Sequence, residues 1–345
     1  MPDPLKIEEV ERALPRSARF YDRFFIPLIR DPRDLALIDL ILKATFLVLP
    51  LGLYIVAHKG LSLWWILPYY AITGFFLGPF ILMLHCTSHR TLFKRKYSAL
   101  NFYIPWILSP FFGLTPETYY AHHIGMHHPE NNMEEDLSST LRYRRDRWTD
   151  FLKYFSRFLF LSIFHLPIYF FKRQRHKMAT RMILGEISFY GVVALLFFWN
   201  WKGALFIFAV PVLFTRFMMM NGNWAQHAFV DPAAPGDNYK NSITCINSTY
   251  NQRCFNDGYH IIHHLKPNCH WTEMPQHLND HLKVYAQKDP VIFEKIDYFV
   301  IWIFLMLKRY DWLARYFVDL GEVKRSPEEI AAFLKSRTQP ILLPS

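Results

Sequence analysis

Four stretches of this chain are apolar over about 20 residues, the length of helix that crosses a bilayer, and they limit what it can fold into. They are residues 35–57, 61–84, 183–201 and 204–220. In hydrocarbon, backbone N–H and C=O groups must be satisfied within the segment, so these runs are read as helices. The second carries no charge; the first has Asp39 and Lys43 one turn apart, placed to pair or snorkel. Only His58-Lys59-Gly60 and Lys202-Gly203 separate the members of each pair, which leaves room for tight turns. Trp64, Trp65, Trp199 and Trp201 flank those turns as an interfacial belt would.

The expected fold is all-α and integral to a membrane. It has two transmembrane helical hairpins (four spans) and a helical cap that holds a metal site. The segment between the hairpins is crowded with cations, among them Lys94, Arg95, Lys96, Arg144, Arg145, Lys172, Arg173, Arg175 and Arg181. Positive charge stays on the cytoplasmic side, so the cap and both termini are expected there. The net charge of +10 then matches a membrane surface rather than nucleic acid.

Three shorter apolar runs do not fit as spans. Residues 102–114, broken by Pro105 and Pro110, are expected to be re-entrant or interfacial. Residues 151–171 mix in Lys153, Arg157 and His165, and residues 298–307 end at Lys308 and Arg309; both suit helices lying on the membrane. Residues 151–171 are long enough for a fifth span, but that would move the third histidine cluster away from the first two. The organisation is then a cytoplasmic N-terminal segment (1–34), a membrane and catalytic domain (35–285), and an interfacial helix with a tail (286–345). The first 34 residues lack the apolar core of a cleaved signal peptide. Cys86, Cys245, Cys254 and Cys269 show no CxxC spacing, and free thiols in a reducing compartment are expected.

Sixteen histidines are present, most of them in four groups. His85 and His89 follow the second span. His123 and His127 repeat the i, i+4 step, and His128 adjoins them. His260, His263 and His264 are spaced i, i+3, i+4, and His227 stands four residues after Asn223. Residues at i and i+4 share a helix face, so each such pair can aim at one site. A single pair is what two unrelated surface histidines would also give. Three clusters just beyond the ends of the second and fourth spans, on one side, point to a shared metal.

Nine imidazoles exceed the needs of one ion, since zinc sites take three or four ligands. Two ions with four or five ligands each fit, and histidine ligation with open positions suits iron and oxygen. Glu117, Glu135, Asp136 and Asp257 are candidates to orient imidazoles from behind. His58, His165, His176, His277 and His281 are read as ordinary surface or packing residues. His122 competes with His123 but lacks the i+4 step to His127, and His270 lies beyond Pro267, where the helix ends. Arg216, near the end of the fourth span, is read as a snorkelling residue rather than an anion contact.

With these residues in place the chain resembles the membrane fatty acid desaturase superfamily, whose members carry three histidine boxes: HxxxH or HxxxxH, then HxxHH or HxxxHH, then HxxHH. Here they read His85/His89, His123/His127/His128 and His260/His263/His264. Asn223-Trp-Ala-Gln-His227 is similar to the additional ligand segment of acyl-CoA desaturases. His263-His264-Leu-Lys-Pro267, with Trp271 and Pro275, is similar to the HHxxP-W-P tail. The resemblance spans residues 35–285. It implies a di-iron site held by these nine histidines and Asn223, with dioxygen as co-substrate and a fatty acyl substrate. It further implies electrons from a separate donor such as a ferredoxin or cytochrome b5.

Desaturation is the reading preferred. The spacing of the second box and Glu135-Asp136-Leu-Ser-Ser139 also look like membrane alkane hydroxylases, and fatty acid decarboxylases share the superfamily. Two other classes stand further off. A metal transporter calls for ionisable groups inside the spans. A zinc-dependent lipid hydrolase uses about three histidines and leaves most of these unexplained.

Overall fold

An apolar run can satisfy its own backbone by closing hydrogen bonds along a helix, and the predicted runs do so. The computed structural model describes residues 5–11, 19–60 and 62–342, and nearly all of its regular structure is helical. Helix α1 is Pro32–Ala57 and α2 is Ile66–His89. Leu61, the expected start of the second span, lies outside the described residues, as do 1–4 and 12–18 of the N-terminal segment and 343–345 of the tail. Helix α3, Thr118–His122, continues as a π turn, His123–His127.

Helix α4, Trp148–Lys172, covers residues 151–171 and, by length and composition alone, is long and apolar enough to cross a membrane as well as to lie on it. Lys153 and Arg157 sit near its start, and no lysine, arginine, aspartate or glutamate follows until Lys172.

Helix α5 (His176–Ala204), a π turn (Leu205–Ala209) and α6 (Val210–Gln226) form one run of 51 residues. At 1.5 Å per residue that is about 77 Å, more than twice a bilayer core of roughly 30 Å. The expected break at Lys202-Gly203 falls instead at Asn200, which leaves helical geometry (φ −149°, ψ 87°). The Asn200 amide donates to the carbonyls of Ile55 and Val56 at 3.1 and 3.0 Å, and Lys59 Nζ lies 3.9 Å from the Trp199 ring. The two turns thus pack together.

The chain divides into two compact units. The first gathers Met1–Leu14, His127–Phe158 and Met219–Ser345; the second gathers Pro15–Met126 and Leu159–Met218. The second turns large apolar side chains outward, among them Phe46, Phe75, Leu195 and Phe198, as a lipid-facing surface does. Trp64, Trp65, Trp199 and Trp201 are exposed near its turns. Residues 102–114 form a π turn (Tyr103–Leu108) and a 3-10 turn (Ser109–Phe112), broken as their prolines suggested.

The first unit contains the one departure from an all-α fold among the described residues. Strands β1 (Ile243–Ile246) and β2 (Val291–Glu294) pair in parallel, with Ile243 opposite Val291. Beside them, α7 (His260–Leu265) buries Ile261 and Ile262 in a core with Ile246, Leu278, Tyr285 and Ile292. Helix α8, Tyr298–Met306, has nine residues and is too short to cross, as expected. All four cysteines are free thiols.

Candidate metal centre

The third histidine box is oriented by its two isoleucines. Because Ile261 and Ile262 face the core, the helical period turns His260 and His264 to a shared side. The segment before α7 is pinned from several directions. Tyr298 Oη donates to the carbonyl of Gly258 at 2.9 Å. Glu9, far away in sequence and buried, accepts from Ser248 N, Asn251 Nδ2 and Tyr259 Oη at 3.2, 3.0 and 3.1 Å.

His127, His227, His260 and His264, all buried in the first unit, each bring one ring nitrogen within 4.8 Å of the others. His260 Nε2 is 3.3 Å from His227 Nε2 and 3.0 Å from His264 Nε2. Ligands about 2.1 Å from one ion stand roughly 3 to 3.5 Å apart in tetrahedral geometry, so the spacing fits a metal. Burial first, then the neighbouring charge of His127, pushes the His227 imidazole down to about 4. Burial and the surrounding histidines hold His264 well below its ordinary range. Neutral rings keep the lone pairs that a cation needs.

The far nitrogens are held from behind. His127 Nδ1 donates to Asp136 Oδ2 at 2.7 Å, and Asp136 also accepts from Ser138 N, Ser138 Oγ and Asn132 N. His227 Nδ1 donates to the carbonyl and side-chain oxygens of Asn241, both at 3.0 Å. Asn241 is fixed in turn by Asn132 Nδ2 at 3.0 Å and by the carbonyl of Asn131 at 2.8 Å. These bonds select the tautomer that leaves each Nε2 facing the site.

Of the expected carboxylates, Asp136 lies directly behind a histidine of this group. Glu117 instead accepts from Trp106 Nε1 and pairs with Arg181, and Asp257 accepts from Tyr250 Oη. Glu135 is exposed. Asn241 was missed, because an asparagine fourteen residues beyond His227 gives no local signal.

The remaining expected ligands fall into a trio and a pair. In the second unit His89 Nε2 is 2.9 Å from His123 Nε2, and the His85 ring lies 4.5 Å from that of His123. In the first unit His128 Nε2 is 2.8 Å from His263 Nε2. The expectation that His123 and His127 aim at one point is corrected: His123 joins His85 and His89, whereas His127 joins the buried four. One turn apart along the axis, about 5–6 Å, is enough for them to serve different ions. The intervening π turn is a form often found at functional sites.

Asn223 Nδ2 donates to the carbonyl of Ser138 and to Tyr154 Oη at 3.0 and 2.8 Å, so its own carbonyl oxygen is the atom available to a ligand. His270 bonds Thr272 within its own turn, and His277 stacks on His281. Arg216 does not snorkel: it is buried and 3.5 Å from Glu186.

A family model described as "Fatty acid desaturase" matches residues 62–296. The chain belongs to the fatty acid desaturase family. No curated protein and no solved structure matches it. The family consists of oxidoreductases, desaturases and hydroxylases among them, and depends in general on a di-iron centre. In this desaturase-family chain all three histidine boxes and His227 lie inside the matched residues. The family and the long apolar helices make it a membrane protein.

Proposed function

We propose that this protein is a membrane di-iron, dioxygen-dependent desaturase that introduces a double bond into a fatty alkyl chain. The observation that carries the reading is the buried group of four histidines, two of them backed by Asp136 and Asn241. One ion is assigned to His127, His227, His260 and His264. The other takes ligands from the trio His85, His89 and His123, and the His128–His263 pair and Asn223 stand as further expected ligands. The spans form two hairpins, and the histidines and both termini lie on the cytoplasmic side.

When bound, the iron pair supplies dioxygen activation and the oxidising power to take hydrogen from an unactivated methylene, which side-chain acid–base chemistry cannot do. Overall, –CH2–CH2–, one dioxygen, two electrons and two protons give –CH=CH– and two waters. The electrons come from a separate donor of the ferredoxin or cytochrome b5 kind. The chain's own task is to keep the ligand nitrogens deprotonated and aimed, which burial and the Asp136 and Asn241 hydrogen bonds accomplish.

The test pairs mass spectrometry of lipids and free fatty acids from expressing cells with metal analysis of purified protein. It compares the wild type with His264→Ala. A new unsaturated species and bound iron, both diminished in the variant, support the proposal. A hydroxylated or one-carbon-shorter product keeps the iron and corrects the reaction to hydroxylation or decarboxylation. Zinc in place of iron with unchanged lipids overturns it in favour of a hydrolase.

A further inference from the structure

Residues 115–118, Thr-Pro-Glu-Thr, end on the first residue of α3, five positions before His123. Each of the four is gripped by α5. Thr115 Oγ1 donates to Glu186 Oε1 at 2.6 Å, and Thr118 Oγ1 donates to the same oxygen. Glu117 pairs with Arg181 at 2.7 Å. Gly185 lets the carbonyl of Pro116 approach so closely that a Cβ there would lie 2.1 Å from its oxygen. Glu117 itself is held at φ +66°, a left-handed conformation that residues with a Cβ avoid unless their surroundings impose it.

Behind this contact Arg216 of α6 reaches Glu186 Oε1 at 3.5 Å, and both side chains are buried. Glu186 Oε2 has no hydrogen-bond partner among the described residues. A half-satisfied ion pair in a membrane helix adds little stability, because desolvation offsets the attraction. Its bonds converge on the hydroxyls of Thr115 and Thr118, on the segment that leads into the second histidine box.

We propose that Glu186, backed by Arg216, is a positioning residue: it clamps the start of α3 and so sets where His123 presents its ring. This rests on the reading of His123 as an iron ligand. Neither group touches a histidine of the site in the contacts described, so the effect is transmitted through Thr115 and Thr118.

The test compares full-length wild type, Glu186→Leu/Arg216→Met, Thr118→Val and Thr118→Ser, purified in detergent. It reads iron per chain, melting midpoint, and amide hydrogen exchange over residues 119–126. Removing both partners of the buried pair leaves no orphaned charge, and the loss of the acceptor for Thr115 and Thr118 lowers the melting midpoint by only a few degrees. Its amides exchange about tenfold or more faster over residues 119–126, and iron falls by half. Thr118→Val lies between, and Thr118→Ser matches the wild type.

Wild-type exchange in the double variant overturns the clamp. Faster exchange with all iron retained overturns its link to His123. Loss of all iron with a midpoint lowered by more than a few degrees reduces Glu186 to a general strut and also overturns the proposal. A wild type without iron whose double variant still exchanges faster supports the clamp and removes the di-iron reading instead.

Discussion

The two units orient their histidines by different means. In the first, the hold is direct: Asp136 sits behind His127 and Asn241 behind His227, each tied into a net of asparagine, serine and backbone groups. In the second, Glu186, Arg216, Thr115 and Thr118 form a polar group beside the segment that leads into the histidine box. The difference follows from the surroundings. Where the interior is rich in hydrogen-bonding groups, a partner for each imidazole is readily satisfied. Among helices that face lipid, every additional polar group carries a large desolvation penalty, so the Glu186 group is compact.

The sharpest way to break this comparison is Asp136→Ala. It removes the acceptor from His127 Nδ1, and iron affinity in the first unit should fall roughly 10- to 100-fold. Competition titration with a chelator measures this, and an unchanged titration would make the direct hold irrelevant. Asn241→Ala should act in the same direction at about tenfold, near the lower end of that range, because the His227 ring keeps the Asn241 backbone carbonyl as acceptor.

Glu9→Ala probes support one layer further out. Three buried donors lose an acceptor, and stability should drop by about 1–3 kcal/mol, read as a lower melting midpoint with iron content preserved. Arg309→Ala, at an exposed pair with Asp311, should change stability by less than about 1 kcal/mol and leave the metal untouched. A larger effect there would mean that surface charge, not buried partners, dominates the first unit.

Much of this was legible in the sequence because it is written locally. Box spacing places His260 with His264 and His85 with His89, since helical period alone brings i and i+4 together. The apolar runs announce helices by length. Asp136 stood close enough to His127 to be suspected. What stayed hidden depends on contacts between distant residues. Asn241 and Glu9 gain meaning only once the first unit has closed. Residues 243–246 and 291–294 are too short for periodicity to mark as strands, and they pair across more than forty residues. Glu186 carries no signal of its own in the sequence, and its part emerges only once α3 is laid against it. The split between His123 and His127 was illegible for another reason: spacing predicts a shared face, not which neighbours wait at each level along it.

The first unit is assembled from three separate lengths of chain, and this sets an order of events during synthesis. His127 leaves the ribosome 137 residues before His264, and at about 5–20 residues per second that interval is roughly 7–27 seconds. For that time the pocket has one wall and no closure. Glu9, among the first residues made, must wait for Tyr259 before its hydrogen bonds can form. The four-histidine group is therefore completed late in biogenesis, and under the proposed function metal enters it only after translation of the last histidine box.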